Sequence, residues 1–224
     1  MKGSGSHKPR PIAGLHDSVS SALMEMLSSH RPALPSLPEI AKHAGQDVEA
    51  VEKIFGSVQE VLDTLAEQGL MKLVDTCLRT VTKAPPDDPA VQFRALSTAY
   101  LEWACDNPEQ FRLLQYSKLV DIEGNEKLAR YVRSMHDVML RLLHNAQERG
   151  QIVKSADPHL MLLTGRALLL GLARMVIDDN MNEWHPGTTA RKAAQRALDD
   201  YMDAMTIASG WTNFKSPTTT DAAS

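Results

Sequence analysis

The sequence predicts an all-α chain, in which a small N-terminal three-helix unit is joined by one long helix to a larger C-terminal helical bundle. Three observations carry this. Apolar residues recur at three- and four-residue steps almost throughout, and strand-like alternation is almost absent. Aromatic residues make up only 5% of the chain while Met numbers 11 of 224 residues, and flexible Met with small Ala suits packed helices better than a β-sandwich core. Capping residues, Gly and Pro punctuate the apolar stripes at helix-length intervals.

Taking the elements in order, the Gly/Ser/Pro-rich start is followed by a stripe of Leu15, Val19, Ala22, Leu23, Met26 and Leu27. That first helix should end near His30, where the run RPALP (Arg31 to Pro35) breaks it. Ser36-Leu-Pro-Glu39 is a capping box with Pro in the first turn, a strong helix start. Gly45 can take the left-handed backbone that ends this short second helix. Asp47 is a good N-cap for a third helix stopping at Phe55-Gly56, and Ser57-Val-Gln-Glu60 reads as a second capping box.

The helix opened there is long, with Val58, Val61, Leu62, Leu65, Gly69, Leu73, Cys77 and Val81 on its buried stripe. At a rise of 1.5 Å per residue, a helix over 58–82 runs ~36 Å, enough to join two subdomains. KAPPDDP (Lys83 to Pro89) then breaks the chain. Four or five further helices are expected. Asp88-Pro89 opens one that ends at Asn107, and Asn107-Pro108 opens the next, through Phe111, Leu114 and Tyr116. Leu128, Tyr131, Val132, Met135, Val138, Met139, Leu142, Leu143 and Ala146 stripe an amphipathic helix ending at Gly150. Asp157-Pro158 caps a very apolar helix running to about Asp179, and Ala190, Ala193, Ala194, Ala197, Tyr201, Met202 and Met205 mark the last one.

Charge and composition narrow the function classes. A net charge of −4 gives no global attraction to nucleic acid or to an anionic membrane, so such contacts need a local patch. Cys77 and Cys105 lie in apolar helical patterns without ligand spacing, which predicts two buried, reduced thiols. No apolar run follows the basic residues Lys2, Lys8 and Arg10, so no secretory signal is expected. The most apolar segment, Leu160 to Ile177, contains Arg166 and Arg174. Arginine at mid-membrane depth costs about 3 kcal/mol or more, so this segment is expected to be a buried helix in a cytoplasmic protein.

The residues from Glu39 to Leu62, EIAKHAGQDVEAVEKIFGSVQEVL, have the helix lengths and Gly turn of a helix-turn-helix. Ile40, Ala41, Ala44, Val48, Val51 and Phe55 are spaced to form its inner faces. LPEIAKHAG, then nine residues to IFGS, then a capped long helix, resembles the N-terminal domain of TetR/AcrR-type transcriptional regulators. ALSTAYLEWACDNPEQFRLL (Ala95 to Leu114) is similar to a segment of many of their C-terminal domains. The resemblance covers residues 15 to about 209. It implies a helix-turn-helix DNA-binding domain over 15–62 and a ligand-binding and dimerisation domain over 83–209, while composition gives a flexible basic arm over 1–14 and a disordered tail over 210–224.

By the same resemblance the protein would be a homodimer, joined through its last two helices, that reads a double-stranded operator. It would be a repressor released by a small, apolar effector, with no cofactor and no membrane contact. The residues expected to touch DNA are Gln46, Ala50, Lys53 and Ser57, with Ser36 near the backbone. Yet the family's third helix usually ends with an aromatic and a His before the Phe, and a Lys opens its long helix. Here Glu52, Ile54 and Val58 stand at those positions, and residues 36–62 carry a net charge of −3.

An exposed carboxylate ~4 Å from a phosphate adds roughly 1 kcal/mol of repulsion in water. Asp47 and Glu49, however, sit where capping and the helix dipole favour acids without any function, and a carboxylate can accept from cytosine N4. Lys2, Lys8 and Arg10, with His7 and His16 nearby, could reach a minor groove or belong to a solvated terminus. The alternative reading is therefore a TetR-like scaffold whose head no longer reads DNA and serves as a protein-interaction or ligand-binding module.

No enzyme is expected. The eight histidines form no HExxH or tight metal set, and P-loop, GxGxxG and GxSxG motifs are absent. His136 with Asp137 and His144 with Glu148 read as solvated surface. Asp121, Glu123 and Glu126 around Gly124 lack EF-hand spacing. The candidate effector pocket is the stripe Tyr100, Trp103, Met135, Met139, Leu143 and Leu170, a pattern that more often serves as ordinary core. Arg166 and Arg174, two turns apart, could meet an anionic ligand or pair with acids across a dimer.

Overall fold

The computed structural model describes residues 12–28, 34–115 and 118–206, and every regular element among them is helical. Ten helices follow in order: α1 (Ile12–Ser28), α2 (Leu37–His43), α3 (Val48–Ile54), α4 (Val58–Lys83), α5 (Pro89–Asp106), α6 (Pro108–Gln115), α7 (Glu126–Glu148), α8 (Pro158–Ile177), α9 (Met181–Trp184) and α10 (Ala190–Met205). The N-terminal helices form a small bundle, and α4 joins it to a larger C-terminal helical domain. The residues proposed as a basic arm and as a disordered tail lie outside those described, save 12–14, which already belong to α1.

The boundaries follow from capping chemistry. Ser36 accepts from the Glu39 N–H while the Glu39 carboxylate takes the Ser36 N–H at 2.8 Å, so the capping box of α2 is complete. Gly45 has φ +63°, a conformation that costs a residue with a Cβ about 1–2 kcal/mol. Asp88, Asp157 and Thr189 cap α5, α8 and α10 by accepting backbone N–H bonds. The second capping box is shifted by one residue: Ser57 Oγ accepts from the Glu60 N–H at 3.2 Å, but the Glu60 carboxylate takes the N–H of Gly56, at 3.0 Å. The short α9 was not expected. One turn holds no periodicity to read, and its N-cap Asn180 makes no side-chain capping bond.

The described residues fall into two compact units, one with residues up to Leu70 and Glu109–Leu128, the other with Met71–Pro108 and the residues from Ala129 on. In the first, Val19, Leu23, Ile40, Ala41, Val51, Val61, Leu62 and Phe111 are buried. Within it α6 lies against the middle of α4. A Cβ built on Gly69 would stand 3.3 Å from Leu114 Cδ1, so a larger residue there would require the Leu114 side chain to shift by a few tenths of an ångström. The loop after α6 and the start of α7 are fastened to α4 as well: Gln59 donates to the Leu119 carbonyl of the loop at 2.9 Å, and Lys127 in the first turn of α7 pairs with Glu67 at 2.7 Å.

In the second unit α5, α8 and α10 pack on one another around Phe93, Leu96, Trp103, Leu169, Leu172, Ala194 and Leu198. A Cβ built on Gly165 would stand 3.5 Å from the Tyr201 ring, and Tyr201 donates to the Met161 carbonyl at 3.1 Å. Arg94 pairs with Asp199 at 3.2 Å and with Asp203.

The expectation that α8 is a buried helix is corrected. Only a third of its most apolar stretch is buried, and Leu160 and Leu163 are 59% and 63% exposed. Its Met161, Leu162, Gly165, Leu169, Leu172 and Ala173 face the core, while Leu160, Leu163, Ala167 and Gly171 lie on the opposite side. α8 is the single described helix long and apolar enough to span a membrane.

Both cysteines are free, but they differ. Cys77 is fully buried, donates weakly to the Leu96 carbonyl, and its thiol is pushed up by burial to about 12. Cys105 is only half-buried, against the expectation of two buried thiols, and burial raises it too. The thiolate is the reactive form. A disulfide-exchange reagent at pH 8 should therefore modify Cys105 first and reach Cys77 on the timescale of unfolding; equal rates would contradict this placement. A raised folded-state pKa means the stabilisation from Cys77 is complete below about 9 and lost as pH rises toward about 12.

Candidate nucleic-acid interface and ligand-binding bundle

The head is built from α1, α2 and α3, with α2 packed on both others. Ile40, Ala41, Val51 and Phe55 form its closed inner side, while Ala44 and Val48 are half-buried. The His16 ring meets Phe55 edge-on with centroids 4.8 Å apart, so His16 packs inside the head and does not extend the arm. His43 pairs with Glu25 of α1 at 3.0 Å.

Each residue expected to touch DNA has a definite place. Ser36 is exposed and is the N-cap of α2. Gln46 is half-buried, and its amide donates to Ser18 Oγ of α1 at 2.9 Å, which holds it inside the head. Ala50 is half-buried in the first turn of α3, Lys53 is exposed in its last turn, and Ser57 is engaged in the start of α4.

The acids of the segment divide into two groups. Glu39 and Asp47 are committed to caps, Asp47 Oδ2 accepting from the Ala50 N–H at 3.0 Å, and Glu60 is bonded to Gly56. Those three carboxylates have structural work that the sequence pattern already announced. Glu49 occupies the first turn of α3, where the helix dipole favours an acid. Glu52 alone has none of these reasons. It is exposed and meets no hydrogen-bond or ion-pair partner among the described residues.

Of the effector-pocket candidates, Trp103, Met135 and Leu143 are buried, and Tyr100, Met139 and Leu170 are half-buried. Arg174 pairs with Asp178 of its own helix end at 3.2 Å, a local use that sequence spacing could have shown. Asp121 accepts from the Gly124 N–H at 2.9 Å and so shapes its own turn. His136 stands 3.8 Å from Asp137, both exposed. Among the described residues no group of three or more His, Cys, Asp and Glu side chains could hold a metal ion.

A helix-turn-helix-like head followed by a long helix and an apolar helical bundle is the arrangement of the TetR/AcrR-type fold. The chain has the TetR/AcrR-family regulator fold, and residues 93–201 match the family described as "Tetracyclin repressor-like, C-terminal domain". Three solved structures illustrate the likeness. A protein of unknown function from Rhodococcus sp. RHA1 superposes with a TM-score of 0.70 at 22% identity, covering 91% of this chain and 99% of that one. A bacterial regulatory protein in the tetR family from Rhodococcus RHA1 gives 0.68 at 18% identity, covering 88% and 98%. The ketosteroid transcriptional regulator KstR2 of Mycobacterium tuberculosis gives 0.67 at 15% identity, covering 88% and 97%. At these identities the likeness is one of fold. No curated protein sequence matches the chain significantly.

Proposed function

We propose that the protein is a cytoplasmic, homodimeric DNA-binding regulator, a repressor whose paired heads leave their operator when a small apolar effector enters the C-terminal bundle. The observation that carries this reading is the capped α2–Gly45–α3 unit on a TetR-type scaffold. Lys53, Ala50, Ser57 and Ser36 are the contacts it supplies, while Gln46 would have to leave Ser18 to join them. Dimerisation runs through α8 and α10. The exposed leucines at the start of α8 are apolar surface that a partner would cover.

The test is a gel shift on duplex DNA from the protein's own upstream region across a salt series. Specific binding should weaken with a slope of about −0.9 in log K against log[salt] for each phosphate contacted. Affinity no greater than for random duplex at every salt concentration would overturn the reading.

Glu52 favours a second reading, in which the head no longer reads DNA and contacts a protein. The variant carrying Glu52→Tyr and Val58→Lys separates the two. If the native protein is inert toward duplex and this variant gains affinity, the head has lost DNA reading; if both bind, the repressor reading stands.

A further inference from the structure

Buried polar atoms nearly always find a partner, and each exception calls for an explanation. Trp103, on α5, is 3% exposed, yet its indole N–H meets no acceptor among the described residues. Ser20 Oγ and Gln110 Oε1 are also buried without a partner, but each can be relieved by a bond rotation. A helical serine hydroxyl can turn to the carbonyl four residues back, as Ser97 does to Phe93 at 2.9 Å. A glutamine amide can flip. An indole has neither freedom, because the ring fixes the N–H direction and core packing fixes the ring.

The surroundings restrict what acceptor could enter. Trp103 shares the buried side of α5 with Phe93, Leu96 and Ala104, and Tyr100, whose hydroxyl oxygen is also buried, stands one turn before it. The buried polar residues described are Ser20 and Ser97, so this core offers no buried charge. An ionised carboxylate taken in here would lie uncompensated, which is far more costly than burying a neutral carbonyl. We propose that Trp103 Nε1–H is the hydrogen-bond donor to the effector, and that the effector is a neutral, largely apolar molecule carrying a carbonyl oxygen. This rests on the reading of the bundle as an effector domain. It adds the chemical class of the ligand and the atom that recognises it.

The experiment uses the full chain with 15N-labelled tryptophan and the matched probes 2-undecanone, undecane and undecanoate. Trp103→Phe assigns the indole resonance and removes the donor while keeping an aromatic ring. In the free protein the Trp103 indole proton should resonate upfield, as an unbonded N–H does. Adding 2-undecanone should move it downfield, and the ketone should bind about tenfold tighter than undecane or undecanoate, the worth of one hydrogen bond.

In the Trp103→Phe variant that preference for the ketone should vanish, while undecane affinity stays as in the native protein. No binding of the ketone, equal binding of ketone and alkane, or a preference that survives in the variant would each overturn the proposal. So would an indole proton that is already downfield and close to a resident water in the free protein. If DNA release fails with every apolar ligand while the indole responds as described, the repressor reading falls and this one stands.

Discussion

Replacing Leu160 and Leu163 with glutamate should leave the helices intact and leave the protein monomeric. Both side chains are largely exposed in the single chain, so neither supports the fold of its own bundle. In a dimer through α8 each would be covered, and full burial of a leucine stabilises by about 1.5–3 kcal/mol. The variant forfeits this at four positions and asks carboxylates to enter an apolar contact, an effect of several kcal/mol. Sedimentation should show one chain where the native protein shows two, with unchanged far-ultraviolet circular dichroism. If paired heads read two half-sites, as proposed, operator affinity should fall by about two orders of magnitude or more. A variant that remains dimeric would place the interface elsewhere.

Phe111→Ala should be the most destabilising single substitution in the first unit. Phe111 is completely buried in α6, which packs on α4 through Leu114. Emptying a phenylalanine site costs about 3–5 kcal/mol, through lost transfer energy and the cavity left behind. That is a large share of a typical domain stability of about 5–15 kcal/mol. Urea unfolding should show the midpoint falling sharply with the slope preserved. A loss under about 1 kcal/mol would mean that α6 does not anchor the first unit.

How far the sequence announced this structure depends on the range of the interaction involved. Caps are local, so Ser36, Asp47, Asp88 and Asp157 placed the starts of α2, α3, α5 and α8 correctly. The Gln46–Ser18 bond was not legible, because its partners are 28 residues apart and nothing in either neighbourhood marks the pairing. α8 misled for a different reason. Composition reports how much a helix wants to leave water, and it does not say whether its own chain or another surface will cover it. At the candidate site, the pattern of acids was visible from the start, but which were caps required geometry. Three carboxylates proved to be bonded at helix starts, and only then did Glu52 stand apart.

Gly69 has a consequence for the mechanics of the chain. α4 is an unbroken helix of 26 residues, and such a rod is ordinarily of even stiffness along its length. Glycine is the residue whose backbone loses most freedom on becoming helical, at about 1 kcal/mol relative to alanine. Here it sits next to Leu70, the last residue of α4 in the first unit, with Met71 opening the second. The seat that Leu114 of α6 takes on α4 therefore falls at its least helix-favouring residue, within one residue of the point where the helix passes from the first unit to the second.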